Sequence, residues 1–86
     1  MNDFEKNLKA LANRRRLAIL RLLKKNKEAS VAEIAEAIKL SFKATSKHLG
    51  ILNAVGIVEK EQRSLKMFYR LDIPLKPIVK NVINLI

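Results

Sequence analysis

No glycine occurs in this chain before Gly50, and no proline before Pro74. These two residues are the strongest local interrupters of regular backbone, so the N-terminal half contains nothing to stop a helix except side chains that compete for its end groups. Its breaks must therefore be caps. Asp3 is placed to cap a helix bearing Phe4, Leu8 and Leu11 at helical spacing, and Asn13 to cap a second over RRRLAILRLLKKN, with Leu17, Leu20 and Leu23 among its apolar residues. Ser30 opens the pattern S-x-x-E with Glu33, and Val31, Ile34, Ala35 and Ile38 follow at i, i+3, i+4 and i+7 of a short third helix. That helix should end near Lys39, leaving Ser41 to cap a fourth after a turn of about three residues. A short helix, a tight turn and a second helix make helix-turn-helix spacing.

Gly56 stands where a C-terminal glycine would close the fourth helix, and the chain then changes character to IVEKEQ and KMFYRL. Both segments read as strands, joined at Arg63 to Leu65 in a hairpin whose turn lacks Gly, Asn and Asp. Pro74 and Pro77 mark the start of a last helix, PLKPIVKNVINLI. The expected fold class is mainly α with a small β-hairpin, in a single domain over residues 1–86. A chain of this size buries only about 60% of its unfolded surface, so 49% hydrophobic residues suffice only if they fall on consistent faces. The last helix is apolar over more than half its circumference, through Leu75, Ile78, Val79, Val82, Ile83 and Ile86. Packing on the first helix uses one side. A second copy of the chain can use the other, which makes a symmetric dimer the expected way to close the core.

Eighteen Lys and Arg against eight Asp and Glu leave a formal charge of +10. A small domain that tolerates such self-repulsion is suited to a polyanion. There is no cysteine and one histidine, which removes disulfides, thiolate metal sites and cysteine nucleophiles, and no paired carboxylates, metal cluster or phosphate loop points to catalysis. No apolar run approaches the roughly 20 residues of a membrane span, and MNDFEKN lacks the basic start and apolar middle of a secretory signal. A cytoplasmic protein without cofactor or metal is expected, and it is not expected to be an enzyme.

The stretch SFKATSKHLGIL, Ser41 to Leu52, mixes an apolar side with hydrogen-bond donors. Leu49 and Leu52, with Thr45 or Ala44, form an inner stripe, leaving Lys43, Ser46, Lys47 and Gly50 facing outward. From Ala37 to Val58 there is no acidic residue, as a surface lying on phosphates requires. ALANRRRLAILRLL, VAEIAEAI, SFKATSKHLGILNAVGIVEKE and FYRL resemble, in order and spacing, the ArsR family of arsenic-repressor-like winged-helix regulators. The resemblance covers Leu8 to Leu71, and its most specific part is S-x-x-x-T-S-K-H-L-x-x-L-x-x-x-G-I-V.

The resemblance implies a dimer paired through the first and last helices, which would involve Phe4 and Leu8 together with the apolar residues of the last helix named above. It also implies double-stranded DNA as partner, a recognition helix at 42–54 in the major groove and a wing at 57–71 along the backbone. The expected DNA contacts are Ser41, Lys43, Thr45, Ser46, Lys47 and His48, with Arg63 and Lys66 on the wing. His48 can donate to the DNA backbone, hold the recognition helix in place, or be a satisfied structural residue. Four departures stand out. Phe42 replaces a glutamine common in relatives and is expected to turn inward. Arg14 replaces the usual proline, and the wing tip has no glycine. The segment Val31 to Ile38 lacks the metal-sensing cysteine pair, and the last helix has no His, Asp or Glu. A sequence-specific regulator, most simply a repressor, is the leading reading. A sequence-indifferent architectural or RNA-binding protein is the alternative, followed by a module that docks an acidic protein.

Overall fold

The computed structural model describes residues Met1–Ile86. Its elements in chain order are α1 (Asp3–Leu11), α2 (Arg14–Asn26), β1 (Glu28–Ser30), α3 (Val31–Ile38), α4 (Phe42–Ala54), β2 (Val58–Arg63), β3 (Lys66–Leu71) and α5 (Pro77–Leu85).

The helix boundaries are set by side-chain caps, with one shift from the sequence reading. The cap of α1 is Asn2 rather than Asp3: the Glu5 N–H donates to Asn2 Oδ1 at 2.8 Å, and the Asn2 N–H donates to Glu5 Oε1 at 3.3 Å. Asp3 instead occupies the first helical position, where its charge suits the helix dipole and its carboxylate accepts from Lys76 Nζ at 3.0 Å. Asn13 Oδ1 accepts from the N–H groups of Arg15 and Arg16, at 2.9 and 3.1 Å. Ser30 and Glu33 close the expected reciprocal box, and Ser41 Oγ accepts from the Ala44 N–H at 3.1 Å. Lys39, in the left-handed region at φ 55°, ends α3 and turns the chain into α4. Gly56, at φ 76°, ends the fourth helix. Its N–H donates to the Asn53 carbonyl and the Ile57 N–H to the Leu52 carbonyl, the paired bonds of a Schellman close.

The β region is larger than a hairpin. β1 joins it as an edge strand, giving the antiparallel order β1-β3-β2 with Ala29 opposite Tyr69 and Lys60 opposite Tyr69 on the far side. Three residues are too few to show strand alternation in a sequence, so β1 exists only because β3 offers it a free edge. The hairpin turn is Ser64–Leu65, since Arg63 still pairs with Lys66 in the ladder. Ser64 takes the positive φ (57°) that such a two-residue turn demands.

One cluster forms the core. Ile19, Leu20 and Leu23 of α2 meet Ile34 of α3, Leu49 and Leu52 of α4, Ile57 and Val58 at the start of the wing, and Val79 and Ile83 of α5. Helix α5 begins at Pro77, not at Pro74, and Lys24 Nζ donates to the Ile83 carbonyl at 3.1 Å near its far end. Val79 and Ile83 are therefore not available for pairing with a second copy, contrary to the sequence expectation; they are this chain's own core. Phe4 (56% exposed) and Leu8 stand free on α1, while Leu75, Ile78, Val82 and Ile86 are half-buried at the edge of the cluster.

Candidate nucleic-acid interface

Helix α4 is seated by Thr45, Leu49 and Leu52, all fully buried. This places Thr45 in the inner stripe and corrects its inclusion among the DNA contacts: its hydroxyl is enclosed and has no hydrogen-bond partner. Lys43, Lys47 and Gly50 are exposed and Ser46 half-buried, and their i, i+3, i+4 and i+7 spacing sets them along one line. Ser41 is exposed at the head of that line. Its Oγ accepts the capping bond and leaves the hydroxyl proton free to donate. Phe42 is 60% exposed, so the expectation that it turns inward is overturned. It is the first residue of α4, beside the cap, where the helix has not yet reached the core.

His48 lies half-buried on the side of α4 toward α2. The Arg16 guanidinium binds three groups at once: Nε donates to the Ala10 carbonyl at 2.6 Å, Nη2 to the Lys9 carbonyl at 3.2 Å, and Nη1 meets His48 Nδ1 at 3.2 Å. A guanidinium only donates, so Nδ1 must accept and the ring proton sits on Nε2. Burial first, then the charges of Arg16, Arg15 and Lys47, push the His48 pKa below its usual value. The ring is therefore neutral near pH 7, with Nε2–H as its remaining donor. Arg16 and His48 together tie the end of α1 to the middle of α4.

The wing is arranged on the opposite principle. Register puts Glu59, Glu61 and Arg63 of β2 on the same face as Lys66, Phe68 and Arg70 of β3 and Glu28 of β1. Arg63 makes a forked pair with Glu28, at 2.6 and 2.9 Å, and reaches Glu61 at 3.1 Å; its guanidinium lies 4.6 Å over the Phe68 ring. Arg70 donates to Glu59 at 2.6 Å and to Glu61 at 2.9 Å. The hydrogen bonds that Arg63 donates to Glu28 first and Glu61 second raise its pKa, and the bond accepted from Arg63 lowers that of Glu28. Arg63 is thus held by carboxylates along the sheet, not presented to a phosphate, which corrects its assignment as a free wing contact. Lys66 remains exposed and forms no ion pair.

The sequence contains part of this signal, because Glu59, Glu61 and Arg63 alternate at strand period. Glu28 gives no such sign, since it joins the cluster only through β1. The structure holds no group of three or more His, Cys, Asp or Glu able to hold a metal ion, and no helix is long and apolar enough to cross a membrane.

Residues 13–60, from the cap of α2 to the third residue of β2, match the arsR family of bacterial regulatory proteins. The chain belongs to the ArsR family. It is a winged helix-turn-helix DNA-binding transcriptional regulator. The transcriptional activator HlyU of Vibrio cholerae is 40% identical over 79 residues, covering 84% of this chain and 72% of HlyU. Its reduced form has been solved and superposes with a TM-score of 0.83 at 38% identity, over 96% of this chain and 83% of that one. The homodimeric winged helix-turn-helix DNA-binding domain of Mb0332 from Mycobacterium bovis superposes at 0.82 with 32% identity, over 96% of this chain and 73% of that one. The transcriptional repressor PagR of Bacillus anthracis does so at 0.79 with 28% identity, over 96% and 91%.

Proposed function

We propose that this ArsR-family chain works as a homodimeric regulator, each copy a single domain over residues 1–86, that reads one half-site of an inverted repeat with the outward line of α4. The observation that carries this reading is the line itself: Lys43 and Lys47 exposed and Ser46 half-buried between them on the second helix of the helix-turn-helix, with no acidic residue between Ala37 and Val58. Lysine can reach phosphate or the O6 and N7 of guanine, and serine either kind of group. Ser41 Oγ–H, the α4 N-terminus and His48 Nε2–H suit phosphates. Exposed Phe42 supplies what its glutamine-bearing relatives do not, an apolar contact suited to a thymine methyl. Gly50 fits the same role, because a Cβ there would meet nothing within the protein. A glycine in mid-helix is unfavourable by roughly 0.5–1 kcal/mol against alanine, and close approach of a DNA strand gives it a reason.

The dimer is formed through Phe4 and Leu8 with the half-buried Leu75, Ile78, Val82 and Ile86. Its support is their exposure in a chain whose core is already closed, and the homodimeric state of Mb0332. Asp3 and Lys76, paired at 3.0 Å, hold α1 beside the approach to α5 so that both present one surface. The regulator acts by occupying DNA in the cytoplasm, without catalysis, and represses where its site overlaps a promoter, in line with PagR, a transcriptional repressor of the same fold. Binding by charge alone is disfavoured by the wing, which neutralises its own arginines.

The test is a selection of sheared genomic DNA from the source organism at physiological ionic strength, with sequencing of the bound fragments. Enrichment of an inverted repeat with half-site centres about 34 Å apart, one helical turn, is expected. Uniform recovery of fragments would instead favour an architectural or RNA-binding protein. Sedimentation of Leu8→Lys, expected as a monomer, tests the interface separately.

A further inference from the structure

Helix α2 has more apolar surface than the core uses. Ile19, Leu20 and Leu23 are buried, whereas Leu17, Ala18 and Leu22 lie half-exposed on an adjoining face. That face is the floor of an open groove of about 880 Å³, which Ala37 and Ile38 of α3 and Ile86 after α5 complete. Arg14, Arg15, Arg21 and Lys25 stand around its rim, and no acidic residue lines it. None of these four cations forms an ion pair; the one long-range bond among them runs from Arg15 Nη1 to the Ile38 carbonyl at 3.2 Å.

We propose that this groove binds an amphipathic anion, a small molecule with one carboxylate or sulfonate head and an apolar body. Each feature selects against another occupant. A bare phosphate or polyphosphate would meet the rim and leave the floor wet. A neutral apolar molecule would cover the floor and leave four cations beside it without a counter-charge. A second copy of the chain placed face to face would bring four more cations against these four. Along α2 the floor runs only roughly 8 Å from Leu17 to Leu22, at 1.5 Å per residue, short for a docked protein helix, while the volume lies within the usual range of small-molecule sites. Because Arg15 is bonded to the carbonyl just before the helix-turn-helix turn, a bound head group and that turn draw on the same guanidinium.

The test uses the fluorescent probe 1-anilinonaphthalene-8-sulfonate and the full chain at moderate salt. Saturable binding of one probe per protomer is expected, displaced by decanoate but not by equal concentrations of acetate or decanol. Ala18→Phe, which fills the floor, should abolish binding. The double variant Arg21→Gln, Lys25→Gln changes only exposed side chains and should weaken it by roughly tenfold. Circular dichroism melting of both variants checks that they are folded; if Ala18→Phe fails to fold, the double variant decides alone. Three results would overturn the proposal: no saturable binding by the wild type, unchanged binding in the folded variants, or a change in sedimentation mass on Ala18→Phe, which would make the groove an interface between copies.

Discussion

Helix α4 and the wing have similar basic residues and opposite electrostatics. Lys43 and Lys47 have no carboxylate near them, while Arg63 and Arg70 are held by Glu28, Glu59 and Glu61 at 2.6–3.1 Å. A cation's presence in the sequence therefore says little about its availability to a phosphate. On α4 the charge is free and the helix is positioned by apolar burial and the Arg16–His48 contact. On the wing the charge is used to brace three strands, at modest energy per exposed pair, and only lysines such as Lys66 remain free.

The largest expected effect separates the two regions directly. Lys43→Ala with Lys47→Ala should weaken operator binding by about 2–4 kcal/mol per half-site while leaving thermal stability unchanged, as fluorescence anisotropy and melting would read. Arg63→Ala in the wild-type background should cost much less; equal losses would break the contrast. Next, Glu28→Gln should release Arg63 to DNA, tightening non-specific binding and steepening the slope of log affinity against log salt by roughly 0.9 per protomer. An unchanged slope would mean that Glu61 alone suffices to hold the guanidinium.

The third effect is on pH. The folded-state pKa of His48 is lowered, so the stability that depends on its neutral ring is present above about 6.5 and is lost as pH falls through the folded value. The pKa values of Glu28 and Glu61 are also lowered, from 4.5, so the wing clamp persists to lower pH. Acid titration followed by NMR should therefore loosen the seat of α4 before the sheet, and His48→Asn should remove the earlier step; a single concerted transition would contradict this. The smallest effect is within α4 itself. Thr45→Val removes a buried, unpaired hydroxyl and should raise stability by about 1 kcal/mol without changing DNA affinity. A loss of affinity would return Thr45 to the contact surface.

Much of this architecture is legible in the order of residues alone. Asn13, Ser30, Ser41 and Gly56 place the helix ends because caps and C-terminal glycines act within four residues, and the apolar period of α3 and α4 chooses their inner faces. The failures share a cause. Phe42 reads as inward because its chemistry is apolar, yet exposure depends on whether core lies beneath that turn. Val79 and Ile83 cannot be told from Ile78 and Val82 on a helix apolar most of the way round, until the position of α1 and α2 decides which side is covered.

By itself, then, the sequence determined the helical half, the helix-turn-helix spacing, the family and the acid-free line on α4, since each rests on neighbours a few residues apart. Tertiary structure alone decided that Glu28 forms a strand and clamps Arg63 thirty-five residues away, that Arg16 orients His48 across thirty-two, and that cations gather around an apolar floor on α2. Those contacts join residues whose spacing carries no period, and only the packing of whole elements brings them within bonding distance.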